Sequence, residues 1–72
     1  MNKMKEIRMQ KGLLQKDIAF KTGLSRPAIS LYENGHKQPS MNAAHKIAKA
    51  LDSTIDELFS STYEMDKKAE VS

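Results

Sequence analysis

The sequence predicts an all-α domain, a compact set of five short helices with no sheet. Apolar residues recur at helical spacing throughout, and no window alternates apolar with polar long enough to suggest a strand. Glycine, proline and hydroxyl residues punctuate the chain at short intervals, where helices start and stop. With 72 residues, 39% of them hydrophobic, 29% charged and none cysteine, the chain has room for one small core, no second domain and no disulfide scaffold.

Met4, Ile7 and Lys11-Gly12 outline the first helix, which Gly12 releases in a left-handed conformation. A second helix runs from about Gln15 to Thr22, with Ile18, Ala19 and Thr22 on one face, and stops at Gly23. Ser25 is a good N-cap for the third helix, and Pro27 in its first turn lacks a donor only where none is needed. Asn34-Gly35 ends that helix, His36 to Pro39 form a loop, and Ser40 caps a fourth helix with a buried stripe of Ala44, Ile47, Ala48 and Leu51. Thr54 and Glu57 have the spacing of a capping box for a short fifth helix carrying Ile55, Leu58 and Phe59. Met4 and Met41 are read as core filler. The domain is expected to span 1–59. Residues 60–72 are expected to be a frayed tail, with Tyr63 and Met65 as its apolar anchors.

Charge is divided along the chain. Met1 to Ala50 holds ten Lys/Arg against three Asp/Glu, whereas Leu51 to Ser72 holds two against six. A basic segment of this kind suits a polyanion such as nucleic acid. The longest apolar run, Ile18-Ala19-Phe20, is far too short for a membrane helix, so no membrane association and a cytoplasmic location are expected. His36 and His45 have no companion ligands at zinc spacing, so no metal or other cofactor is expected. Ser, His and Asp occur without a nucleophile elbow or a phosphate-cradling glycine loop, and the chain reads as no enzyme.

The informative stretch is Gln15 to Asn34. Ala19 is small where two helices must approach closely, and Gly23 sits where a turn requires positive φ. Leu24, Ile29 and Tyr32 pack back on Ile18 and Ala19, which leaves Arg26, Pro27, Ser30 and Leu31 on the outer part of the third helix. This is the pattern of a helix-turn-helix. From Met4 to Phe59 the sequence resembles the XRE type of helix-turn-helix domain, the lambda-repressor-like fold of phage Cro and repressor proteins. Arg8, Gly12, Gln15, Ala19, the run SRPAISLYENG from Ser25 to Gly35, Pro39-Ser40 and the Ile55-Asp56-Glu57-Leu58-Phe59 ending carry the resemblance.

The resemblance implies a sequence-specific regulator that binds double-stranded DNA, a repressor in the first instance. It implies base contacts from Arg26, Pro27, Ala28, Ser30 and Leu31. Phosphate contacts fall to Gln15, Asn34, Lys37 and the backbone amides near Ser40 and Met41. Arg8 and Glu33 match a structural ion pair, and Gln15 also braces the recognition helix. Two departures stand out. Leu14 occupies the usual place of a polar cap for the second helix, with Asp17 offsetting the loss through the helix dipole. Pro27 and Leu31 make the outer face less polar than is usual, leaving Arg26 to read guanine and Leu31 or Ala28 to meet a thymine methyl.

One recognition helix reads only a few base pairs, so a homodimer on an inverted repeat is expected, with half-sites roughly 34 Å apart. Its interface is expected at the acidic end, from Ile55, Leu58, Phe59 and Tyr63. The rival reading is a helical adaptor that holds a protein partner, such as a toxin or an antirepressor, with the acidic tail folding on that partner.

Overall fold

The computed structural model describes residues 2–59. Four helices run over Met4–Gln10 (α1), Gln15–Thr22 (α2), Arg26–Glu33 (α3) and Met41–Ala50 (α4), and a fifth (α5) is helical over 55–59, where the described residues end. No strand occurs among the described residues. The expected tail over 60–72, with Tyr63 and Met65, lies outside them.

Helix ends follow from local chemistry. Ser25 Oγ accepts from the Ala28 amide at 3.2 Å, and Ser40 Oγ accepts from the Ala43 amide at 3.1 Å. At α5 the Glu57 amide donates to Thr54 Oγ1 at 3.1 Å, while the Glu57 carboxylate turns to the Ser53 hydroxyl at 2.9 Å. Leucine at the start of α2 has no side-chain acceptor. The reciprocal half of a cap survives, because Asp17 Oδ2 accepts from the Leu14 amide at 2.8 Å.

Three helices end in the same device. The chain turns left-handed one residue past the cap, at Gly12, Gly35 and Asp52, with φ of 69°, 74° and 52°. The next amide then reaches back to the third-last helical carbonyl: Leu13 to Arg8, His36 to Leu31 and Ser53 to Ala48.

The core forms where the apolar stripes meet. α2 is central, packed on α3 and α4, and α1 packs on α3. Met4, Ile18, Ile29, Ala44, Ile47, Leu51, Leu58 and Phe59 are fully buried, and Tyr32 and Ala48 nearly so. Ile7, Leu13, Ala19, Leu24, Ala28 and Ile55 seal the margin.

Met41 is not core filler. It is the first residue of α4 and 49% exposed, because a side chain at the first helical position is directed back toward the N-terminal end rather than along the buried stripe. Asn2 also closes the fold. Its side chain accepts from the Met4 amide at 3.0 Å and donates to the Tyr32 carbonyl at 2.8 Å, while the Lys3 amide donates to the Leu58 carbonyl. The first residues thereby tie α1 to the end of α3 and to α5.

Candidate nucleic-acid interface

α3 has two unlike faces. Ile29, Tyr32 and Glu33 are buried, whereas Arg26, Pro27 and Leu31 are exposed, Leu31 at 41%. Ser30 and Ala28 are half-buried, and Ala28 also packs against the core, so it offers only part of its methyl outward. Asn34, exposed at the end of the helix, donates to Ser30 Oγ at 3.4 Å. The amides of His36 and Lys37 both fold onto the Leu31 carbonyl, which draws exposed Lys37 beside the helix end. Ser40 and Met41, at the start of α4, are exposed as well.

A buried polar network fixes α3 from behind. Arg8 Nε donates to Glu33 Oε2 at 2.5 Å, and Arg8 Nη2 donates to Glu33 Oε1 at 3.2 Å, a two-pronged pair that defines a plane as well as a distance. The two side chains are only 9% and 1% exposed. The remaining Arg8 prong donates to the Leu13 carbonyl at 2.7 Å, and Gln15 Nε2 donates to Glu33 Oε1 at 3.0 Å. One carboxylate thus gathers α1, the α1–α2 loop, the first residue of α2 and the last of α3. No buried side-chain nitrogen or oxygen among the described residues lacks a partner, as a buried charge pair requires.

The turn between α2 and α3 is short. Gly23 adopts φ 75°, and a Cβ there would meet no atom within 4 Å, so its requirement is conformational rather than steric crowding. Thr22 Oγ1 donates back to the Ile18 carbonyl at 2.7 Å and accepts from the Leu24 amide at 3.2 Å, which fixes the exit from α2.

The starts of α2 and α3 border a shallow cleft of about 400 Å³ lined by Arg8, Leu14, Gln15, Lys16 and Arg26. Lys16 is exposed there beside Gln15 and Arg26. Sequence reasoning passed over it, although a lysine next to Gln15 in a basic segment was the available signal.

At the acidic end, Leu58 and Phe59 are completely buried, so they shape this end from inside and offer no contact surface there. Ile55 is half-buried, and Tyr63 lies outside the described residues. His36 and His45 are exposed. No group of three or more His, Cys, Asp or Glu among the described residues is placed to hold a metal ion, and no helix among them is long and apolar enough to cross a membrane.

Residues 4–58 match the helix-turn-helix family. An uncharacterized HTH-type transcriptional regulator of Methanocaldococcus jannaschii is 41% identical over 58 residues, covering 81% of this chain and 88% of that protein. The HTH-type transcriptional activator BcrR of Enterococcus faecalis is 40% identical over 58 residues, again 81% of this chain but 28% of that longer protein. Among solved structures, the restriction-modification controller protein C.AhdI from Aeromonas hydrophila superposes with a TM-score of 0.75 at 38% identity, covering 79% of this chain and 86% of that one. The likeness extends through the whole helical unit that holds α3 outward, and the chain belongs to the XRE-type helix-turn-helix family, as a DNA-binding transcriptional regulator and not an enzyme.

Proposed function

We propose that this regulator recognises an inverted-repeat operator as a homodimer, works in the cytoplasm, and represses by occupying a promoter. The observation that carries the reading is the contrast across α3. Its inner face is locked by the Arg8–Glu33–Gln15 network, while Arg26, Pro27 and Leu31 stand exposed on the outer face. A rigid helix with a free outer face is what reading base edges in the major groove demands.

In this reading Arg26 addresses guanine through its paired donors. Leu31, with the accessible part of Ala28, lies against a thymine methyl, Pro27 shapes the approach at the first turn, and Ser30 accepts or donates at a base edge. Gln15, Lys16, Asn34, Lys37 and the backbone amides near Ser40 and Met41 grip phosphates on either side of α3. Gln15 has a second amide hydrogen beyond the one given to Glu33, so bracing and phosphate binding are compatible in one side chain.

The test is selection from a randomised duplex library at about 150 mM salt, a range in which phosphate contacts alone bind weakly and base readout decides what is retained. Enrichment of an inverted repeat is the expected result. If a folded protein enriches nothing, the reading falls and a protein partner becomes the target of the search. On the selected site, log affinity against log salt is expected to fall with a slope of roughly −5 to −9, for about six to ten neutralised phosphates in the dimer. A flat response argues against direct DNA binding.

A further inference from the structure

Leu14 stands where the fold gains little from it. It holds the cap position before α2 with extended backbone, φ −97° and ψ 160°, and gives the helix no side-chain cap. A serine there would offer its hydroxyl to the Asp17 amide three residues on, as Ser25 and Ser40 do for Ala28 and Ala43. The leucine forgoes that bond and is 56% exposed, so burial does not replace it.

Its surroundings belong to the reading surface. Leu14 lines the cleft of about 400 Å³ together with Arg8, Gln15, Lys16 and Arg26, although Arg26 lies on another helix. No carboxylate is part of that lining, since Glu33 is engaged by Arg8 and Asp17 by the Leu14 amide. Arg8 is committed to Glu33 and to the Leu13 carbonyl, which leaves Lys16 and Arg26 as the exposed cations beside one apolar side chain.

A cationic cleft with one apolar wall, continuous with the outer face of α3, fits the edge of a duplex at its major groove. Phosphates there meet the cations, and the apolar group that a base pair presents in that groove is the C5-methyl of thymine. Deoxyribose is the other apolar surface within reach of such a wall, and it is the same under every base. Leu14 shares its cleft with Arg26, the side chain read above as addressing guanine, which places it beside a base edge as well as beside phosphates.

We propose that Leu14 is a specificity-determining residue of this interface, meeting the C5-methyl of a thymine in the base pair next to the guanine that Arg26 addresses. The inference rests on the DNA-reading role of α3 and extends it, because the start of α2 then reads sequence too. In this chain the cap position of α2 serves the operator rather than the helix.

The test measures binding of the full chain to the selected operator by fluorescence anisotropy, with uracil replacing each thymine of one half-site in turn, which removes the methyl and nothing else. Uracil beside the guanine is expected to weaken binding by the parent about four-fold, the worth of one buried methyl group. Leu14→Met is expected to keep that sensitivity. Leu14→Ser is expected to lose it while its urea midpoint rises, because the cap returns. A merely structural leucine would give a lower midpoint and an unchanged uracil response. The inference is overturned, with the role of Arg26 intact, if no thymine is selected beside the guanine, if uracil there costs the parent nothing, as a deoxyribose contact requires, or if it costs Leu14→Ser as much as the parent. A library that enriches no site overturns both.

Discussion

Among the described residues, the interior around α3 contains charge, whereas around α4 it contains none. Behind α3 lie Arg8, Gln15 and Glu33, joined by directional bonds to each other and to the α1–α2 loop. Behind α4 lie the fully buried apolar side chains of Ala44, Ile47, Leu51, Leu58 and Phe59. Apolar packing stabilises without specifying direction, and a helix resting only on it can rotate or slide at modest cost. A bidentate ion pair tolerates little such movement. The helix that must present side chains in register is the one tied by oriented bonds, and the supporting helix is the one seated on hydrocarbon.

The largest expected effect comes from breaking the charged side of this comparison. Glu33→Ala leaves the Arg8 guanidinium buried without its counter-charge and is expected to lower unfolding free energy by about 3–5 kcal/mol, measured by urea denaturation. The sharper variant replaces both partners. Arg8→Met combined with Glu33→Leu is expected to recover most of that stability while DNA affinity remains well below the parent, since burial is restored and orientation is not. Equal DNA binding by the double variant would show that the network stabilises without orienting.

Arg26→Ala tests the outer face of the same helix. It is expected to cost about 1–3 kcal/mol in affinity on the selected operator and to relax the base preference at one position of each half-site. Melting temperature should hardly move, because Arg26 is exposed and outside the core. A binding site insensitive to Arg26→Ala but lost with Ser30→Ala would transfer the readout role to Ser30.

Two left-handed positions extend the contrast to the backbone. In the reading half, Gly23 has φ 75°, and Gly23→Ala is expected to destabilise by about 1–2 kcal/mol through strain alone, as no neighbour would meet the new methyl group. In the supporting half, Asp52 holds φ 52° with a side chain in place. Asp52→Gly is expected to stabilise by about 0.5 kcal/mol, the smallest effect of the set, read as a small rise in denaturation midpoint with DNA affinity unchanged. A fall in stability would mean that the aspartate gains more from its surroundings than the left-handed conformation costs.

Much of this architecture is legible along the chain. Ser25, Ser40 and Thr54 announce helix starts because a cap bonds an amide two or three residues away, and Gly12, Gly23 and Gly35 announce exits because positive φ is a property of one residue. The α2 and α4 stripes are readable for the same reason, since helical periodicity brings residues three and four apart to one face. Asp52 was not legible as a helix exit, because only the closing bond from Ser53 to Ala48 reveals an aspartate doing what glycine usually does. Met41 was not legible as exposed, because an apolar residue next to a stripe looks buried until the first position of α4 is seen to stand 49% open.

The sequence by itself determined the helices, their caps and turns, most of the core, and the residues of α3 that face outward, all of which depend on neighbours a few positions apart. Tertiary structure alone decided the bonds of Gln15 to Glu33 and Asn2 to Tyr32, the burial of Leu58 and Phe59, the meeting of Lys16 with Arg26 at one cleft, and the isolation of Phe20 on an outer face. The physical reason is range. Propensity and capping act within a helical turn, whereas a partner 18 or 30 residues away is chosen only when all the helices have packed.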